Sequence, residues 1–368
     1  MHDSWIAERT GAIDVSSIRK VMELAAKLKD PVNLSIGLPD FPVPEPIKAA
    51  THQAIDDDRN AYTVTLGLPE LRSKIQAEAR RLYPSHPDRQ VIITCGTSGG
   101  LTLALLCTIN PGDEVIVFDP YFVMYPQFVS MVGGKVVIID TYPDFQIDVD
   151  RVRAAVTPRT KAIIVNSPAN PTGVVHSRER MKDLAQLALK HNILLLSDEV
   201  YRMFSFDRPF SSPAEFNEDV LVFDGFSKGY AMTGWRLGWC HGPHALIEEM
   251  AKLQQMTFVC APSMAQWGGL AALDVDMSGV AAEYKKKRDR MAVALKKGGY
   301  EIAGAEGAFY LFPRVPQGSG SDFVAEAMRR NLLLLPGSIF SRRDTHFRLS
   351  YAASDAVLQR GIEILQKM

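Results

Sequence analysis

Six short apolar runs, rich in β-branched residues, recur between positions 91 and 226: VIIT (91–94), EVIVFD (114–119), KVVIID (135–140), KAIIVN (161–166), NILLLSD (192–198) and VLVFDGF (220–226). Helix-compatible segments separate most of them, among them GLTLALLCTIN (100–110) and SRERMKDLAQLALKHN (177–192), in which Leu184, Leu187 and Ala188 share one face. A strand that is apolar along its whole length has both faces covered, and a helix between successive strands is the crossover that a parallel pair requires. The pattern predicts an α/β fold whose large domain holds a mostly parallel sheet covered by helices.

The ends of the chain read differently. Ser17 is placed to cap a short helix with Ile18, Val21, Met22, Ala25 and Leu28 on its apolar face, and the proline-rich stretch NLSIGLPDFPVPEP (33–46) then forces an extended connector. From about residue 266 the texture shifts to a long helix bearing a KKKR run (285–288) and ending at Gly298–Gly299. After it come strand-like FYLFPRV (309–315), a helix DFVAEAMRR (322–330), LLLLPG (332–337), strand-like HFRLSYA (346–352) and a last helix led by Ser354. This region is expected to form a smaller α+β domain. The expected division is a large domain of residues 43–265, with 1–42 and 266–368 in the small one.

A chain of 368 residues is too long for one ordinary core, which suits two domains. With 46% apolar and 23% charged residues it has the composition of a globular protein. A formal net charge of −1 supplies no field for nucleic acid or an anionic membrane. The four cysteines (Cys95, Cys107, Cys240, Cys260) are dispersed without a C-x-x-C pair, as for reduced thiols, and no metal site is expected. The start, MHDSWIAERTGAID, has no secretory apolar segment and no later run reaches spanning length, so a cytoplasmic protein is expected.

In an open parallel sheet, ligands bind beyond the carboxyl ends of the strands. There this chain places CGTSGG, PYFVMYP, SPANPTG, DEVYRMF and GFSKGYAMTGWR. CGTSGG (95–100) opens a helix, so its N–H groups and two hydroxyls suit a phosphate, although taken alone such a turn is more often structural. No G-x-x-x-x-G-K-[ST] and no G-x-G-x-x-G follows a strand, which argues against a nucleotide or dinucleotide site. Lys228, held in a closed cleft, can lose its proton and form an imine with an aldehyde or ketone. Asp198 at a strand end reads either as a cap or as the acceptor for a protonated ring nitrogen. Asn170, between two prolines, has turn chemistry as its local explanation. Arg348 alternates away from Phe347, Leu349 and Tyr351, either as a solvated residue or as a fork for a carboxylate. Together an imine-forming lysine, a phosphate cradle, a ring-nitrogen acid and a carboxylate arginine suit pyridoxal phosphate.

Taken in order, NSPANPTG, SDEVYRMF, GFSKGYAMTGWRLGW and FRLSYA resemble the signature of the class I/II aminotransferases of pyridoxal-phosphate fold type I. The likeness runs from SIGLPDFPVPEPI through NAYTVTLGLPELR to the final helix. It implies that Lys228 bonds the cofactor's aldehyde carbon and later shuttles a proton, and that Asp198 pairs with the ring nitrogen. It implies that Asn170 and Tyr201 reach the phenolic oxygen and that Phe122 stacks on the ring. Thr97, Ser98 and Arg236 are implied as phosphate ligands, with Tyr62 reaching the phosphate from the second subunit of a homodimer. Arg348, with Gly37 and Asn170 nearby, is implied to hold the substrate α-carboxylate. Two positions depart from the family pattern: Phe122 stands where tryptophan or tyrosine is common, and Gly225 stands where many relatives place a phosphate-binding serine.

The implied reaction moves the α-amino group of an L-amino acid to a 2-oxo acid such as 2-oxoglutarate. The apolar segment TFVCAPS (257–263) leans towards aromatic or other neutral donors, with aspartate also in play. A C–S β-lyase using the same lysine is one alternative. A non-catalytic ligand-binding module is another, although an intact Lys228 and a short N-terminal extension argue against it.

Overall fold

The computed structural model describes residues 5–11, 13 and 28–368. The helix expected over 18–28 lies, apart from Leu28, outside the described residues.

The six expected strands all belong to one seven-stranded sheet. In chain order they are β1 (Gln90–Thr94), β2 (Glu114–Asp119), β3 (Lys135–Asp140), β4 (Thr160–Asn166), β5 (Leu194–Asp198), β6 (Leu221–Gly225) and β7 (Gly238–Gly242). They lie in the order β1-β7-β6-β5-β4-β2-β3. Every pair is parallel except those made by β7, which runs antiparallel to both β1 and β6. β7 was not among the expected strands. Its sequence, GWCHG, has two glycines and no β-branched residue, so local preference is silent and the neighbouring strands impose the conformation. Glycine is needed at Gly238, where a Cβ would lie 2.7 Å from the Thr97 nitrogen and 3.0 Å from the Asp224 carbonyl oxygen.

Helices cover both faces. Gly96–Thr108 packs on one side with Leu101, Ala104 and Leu105 against Ile92, Val115, Val117 and Phe223. Arg178–Lys190 packs on the other with Met181, Leu184 and Ala188 against Ile116, Ile163 and Leu195, and Ser177 caps it by accepting from the Arg180 N–H. This explains the unbroken apolar stretches of β2, β4 and β5: alternate residues enter different cores. Helix Ser263–Ala272 buries Ala265 and Ala272 with Phe226 and Trp239.

The remaining residues build a second core. Strands Leu335–Pro336, Phe347–Ser350 and Tyr310–Leu311 form an antiparallel sheet, and Val32–Asn33 pairs with Leu332–Leu333. Helices Ser278–Lys297 and Asp355–Leu365 pack here through Tyr284, Met291, Leu358 and Ile362. Tyr201 and Phe204 also enter this core, so the loop after β5 ties it to the large sheet.

Behind the β5–β6 ends lies a buried polar cluster. Arg202 pairs with Asp224 and, at 2.9 Å, with Glu78; the Asp224 carboxylate also accepts the Gly225 N–H at 2.6 Å. The Arg202→Met substitution strands a buried carboxylate and should cost about 2–4 kcal/mol. Urea unfolding at pH 7.5 should show the loss. The deficit should narrow below pH 6, because burial raises Asp224 to about 6 and a protonated Asp224 no longer needs the cation.

Candidate active site

Beyond the carboxyl ends of β4, β5 and β6 lies a cavity of about 370 Å³. A larger groove of about 890 Å³ runs between residues 140–153 and helix Arg178–Lys190, but it is open, charged surface and contains none of the motif residues.

Lys228 enters the cavity from the single helical turn Phe226–Gly229 that follows β6. Its Nζ donates to the Gly37 carbonyl at 2.8 Å and lies 5.9 and 5.8 Å from the ring centroids of Tyr201 and Phe309. Burial lowers its pKa to about 8, helped by the cations of Arg348 and Arg236 and opposed by Asp198. Near neutral pH a useful fraction is therefore the free amine.

Asp198, the last residue of β5, is buried. Its Oδ2 accepts from the Tyr125 hydroxyl at 2.7 Å and its Oδ1 from the Val200 N–H at 3.3 Å. Burial raises its pKa to about 6, against the hydrogen bonds of Tyr125 and Val200 and the charge of Lys228. A buried carboxylate of this kind gains most from a cationic N–H, as a protonated ring nitrogen offers.

Arg348 is not solvated. Both faces of its strand are buried, and its guanidinium lies between the rings of Tyr310 and Phe340, 4.5 and 4.6 Å from their centroids. One terminal nitrogen donates to Asn170 Oδ1 at 3.0 Å and the other to the Ser35 carbonyl at 2.7 Å. Its Nε is buried with no hydrogen-bond partner among the described residues. A fully held cation with an unspent donor suits a carboxylate ligand.

The third wall is an anion cradle. Thr97 and Ser98 open helix Gly96–Thr108, whose N-cap residue Cys95 supplies no side-chain cap. The first N–H groups are thus left for a ligand. Arg236 lies beside them, donating to the Thr233 carbonyl at 3.0 Å and the Cys95 carbonyl at 3.5 Å. Gly96 has φ +74°, and a Cβ there would sit 2.4 Å from an Arg236 guanidinium nitrogen. Only glycine serves at that position. Phe122 completes the lining, edge-on to Tyr125 with centroids 5.4 Å apart.

Comparison with known proteins agrees with this geometry. The family described as Aminotransferase class I and II matches residues 29–365. The chain is 36% identical to a probable aspartate aminotransferase of Methanocaldococcus jannaschii, covering 99% of each chain. It is 32% identical to aromatic-amino-acid aminotransferase 2 of Thermococcus litoralis, covering 99% of this chain and 98% of that one. The crystal structure of the aspartate aminotransferase of Thermus thermophilus with maleate superposes with a TM-score of 0.92 at 34% identity, over 98% of this chain and 99% of that one. The chain belongs to the class I and II aminotransferases. It has their pyridoxal-phosphate fold type I and is a pyridoxal-phosphate-dependent transaminase.

The residues of this aminotransferase fit that cofactor: a partly neutral amine, a buried carboxylate, an anion cradle and an aromatic wall share one cavity. Of the residues singled out from the motifs, Lys228, Asp198, Tyr201, Asn170, Thr97, Ser98, Phe122, Arg236, Gly37 and Arg348 all line it. Tyr62 does not, and it is 80% exposed. Gly225 has a local cause. A Cβ there would lie 3.0 Å from Thr97 Oγ1 and 3.1 Å from Gly238 Cα, so the Thr97 hydroxyl fills the space a serine would need.

Tyr125 and Tyr310 were not anticipated. Tyr125 stands three residues after Phe122, and the helical spacing of PYFVMYP holds that signal. Tyr310 lies opposite Ser350, on the same face as Arg348, a relation set by strand pairing and invisible in a single segment.

Glu199 is also buried, accepting from Ser197 at 2.8 Å and Ser212 at 2.5 Å. Burial raises it from 4.5 to about 7 and Asp198 from 3.8 to about 6. Between each ordinary value and its raised one, the folded state binds more protons than the unfolded state, so stability falls as pH rises across that window. Urea unfolding of the cofactor-free protein should show this decline. Glu199→Gln should remove on the order of 3 kcal/mol of it between pH 4.5 and 7. An unchanged slope would contradict the assignment.

Proposed function

We propose that Lys228 is the residue that binds the cofactor covalently and handles the reacting proton. We assign Asp198 to the ring nitrogen, Asn170 and Tyr201 to the phenolic oxygen, Phe122 to the ring face, and Thr97, Ser98 and Arg236 to the phosphate. Arg348, with Asn170 and the Gly37 backbone beside it, is assigned to the substrate α-carboxylate. The observation that carries this reading is the convergence of Lys228, Asp198 and Arg348 on one cavity, with the Arg348 Nε unpartnered.

Pyridoxal phosphate, when bound, supplies the electron sink that makes the substrate α-proton removable. Asp198, ionised and held by Tyr125, keeps the ring nitrogen protonated. The rings of Tyr310 and Phe340 exclude water from Arg348, so its charge acts on the carboxylate in a low-dielectric site. Lys228 Nζ, near neutrality, accepts the proton from the substrate Cα and holds it for return.

The donor class we favour is an aromatic or other neutral L-amino acid, with a 2-oxo acid such as 2-oxoglutarate as acceptor. The cations lining the cavity among the described residues are Lys228, Arg236 and Arg348, and each already has a task. The rest of the wall includes Ile36, Leu38, Leu335 and Phe340. Aspartate is the second reading, supported by the names of the Methanocaldococcus and Thermus relatives.

We further propose a homodimer in which Tyr62 completes the phosphate site of the second copy. Tyr62, Met256 and Phe258 are exposed, which suits a covered face. We keep the two-domain division, a large body from residue 43 and a small one of residues 1–42 and the C-terminal region. The burial of Ala265 and Ala272 in the large core moves the proposed second boundary from 265 to beyond 272. Among the described residues no helix is long and apolar enough to cross a membrane, and all four cysteines are free, which suits a cytoplasmic setting.

Borohydride reduction of the holoprotein followed by peptide mapping should place the reduced adduct on Lys228, and Lys228→Ala should bind cofactor yet fail to complete transamination. An adduct elsewhere would refute the assignment. For Arg348→Ala, kcat/KM should fall about 100- to 1,000-fold for every amino acid tested, as expected when one partner of a buried charge pair is removed. A loss confined to one substrate class would instead make Arg348 a side-chain reader.

A further inference from the structure

The hydroxyls of Tyr201 and Tyr310 meet at 2.9 Å inside the cavity wall, and both residues are buried. Each phenol carries one proton and can also accept. The contact uses one of the two protons, so the other must go to a third group. If Tyr201 donates to Tyr310, its proton is spent inside the wall; if Tyr310 donates, the Tyr201 proton is free for the cavity. Arg348 favours the second arrangement, because its cation lies 4.5 Å from the Tyr310 ring centroid and makes that phenol the better donor. The acidities agree. Burial pushes Tyr201 well above the ordinary range, while at Tyr310 burial is opposed first by Arg348 and then by the bond to Tyr201.

We propose that Tyr310 is a positioning residue that donates to Tyr201, freeing the Tyr201 proton for the cofactor's phenolic oxygen, while its ring holds Arg348 ready for the substrate carboxylate. This rests on the roles given above to Tyr201 and Arg348, and it links the two halves of the site through one side chain. The backbone supports the arrangement. Tyr310 faces Ser350 across the small sheet, diagonal to Arg348, which puts its ring against the guanidinium. A Cβ at Gly37 would lie 2.0 Å from the Tyr310 hydroxyl oxygen, so the loop over Lys228 closes only with glycine there. The charged groups around the pair are Arg348, Lys228 and Asp198, and the Tyr310→Phe substitution leaves all three in place.

The test is a pH titration of the visible absorbance of the bound cofactor, without substrate, in holoenzyme of wild type, Tyr310→Phe and Tyr201→Phe. Without the bond from Tyr310 the Tyr201 hydroxyl is less polarised and donates more weakly. Weaker donation leaves the phenolic oxygen richer in electrons, so the protonated chromophore persists to higher pH. The midpoint should rise in both variants, by roughly half a unit in Tyr310→Phe, the scale of one weakened neutral hydrogen bond, and further in Tyr201→Phe. KM for amino acids should stay within about twofold in Tyr310→Phe, which keeps the ring, and rise for every amino acid in Tyr310→Leu, which loses the cation–ring contact. A wild-type midpoint in Tyr310→Phe beside a shifted one in Tyr201→Phe overturns the proposal and leaves the site reading intact. An unshifted midpoint in Tyr201→Phe as well overturns the role of Tyr201 and the proposal with it.

Discussion

Three cations, Lys228, Arg236 and Arg348, share one cavity with a single buried carboxylate at Asp198, and that imbalance governs the site. Arg348 is kept charged by its guanidinium chemistry, and it cannot leave, since two acceptors and two rings hold it. The lysine is the group that yields. Burial and its cationic neighbours bring it to about 8, so its amine is reactive at the pH where the α-carboxylate of an amino acid is fully charged. Anionic ligands relieve the same imbalance. The phosphate proposed for the helix N-terminus and the carboxylate proposed for Arg348 would each place negative charge beside these cations.

The scaffold makes this charge distribution possible by separating the tasks. The cradle belongs to the helix after β1, the acid to the end of β5, the amine to the turn after β6, and the carboxylate arginine to the smaller sheet. The elements that carry like charges are anchored independently, so their repulsion is resisted by backbone ladders and not by side-chain contacts alone. Arg202 has a part in this, because its pairing with Asp224 fixes the end of β6, directly ahead of the Phe226–Gly229 turn that carries Lys228.

Much of this organisation was legible in the sequence. The six β-branched runs mark six of the seven strands of the large sheet, and the segments that follow five of them supply thirteen of the residues lining the cavity. What escaped has physical causes. β7 carries little local strand signal, since Gly238 allows close approach to Thr97 and Asp224, and Gly242 to Leu221 and Val220. Arg348, from its segment alone, reads more readily as a surface residue, because a four-residue strand does not disclose that its second face is covered by Phe340. A change in composition suggests a division at 265/266, and the boundary proposed beyond 272 rests on packing, since Ala265 and Ala272 of helix Ser263–Ala272 lie in one cluster with Phe226 and Trp239. Gly225 looked like a lost phosphate ligand until packing showed Thr97 in that space.

Tyr125 and Tyr310 show what kind of information a motif leaves out. Motif residues are those whose chemistry a ligand needs, and each is recognisable alone. These two tyrosines act on motif residues instead: one donates to Asp198, the other meets Tyr201 and lies against Arg348. Their relevance depends on distances that only the assembled sheets create. A buried carboxylate with no donor would keep its proton at neutral pH and could not hold a ring nitrogen cationic, and the Tyr125 hydroxyl counters that tendency at Asp198. At Asp198 the supporting Tyr125 hydroxyl thus works against burial in favour of the carboxylate, and residue identity alone leaves that balance undetermined.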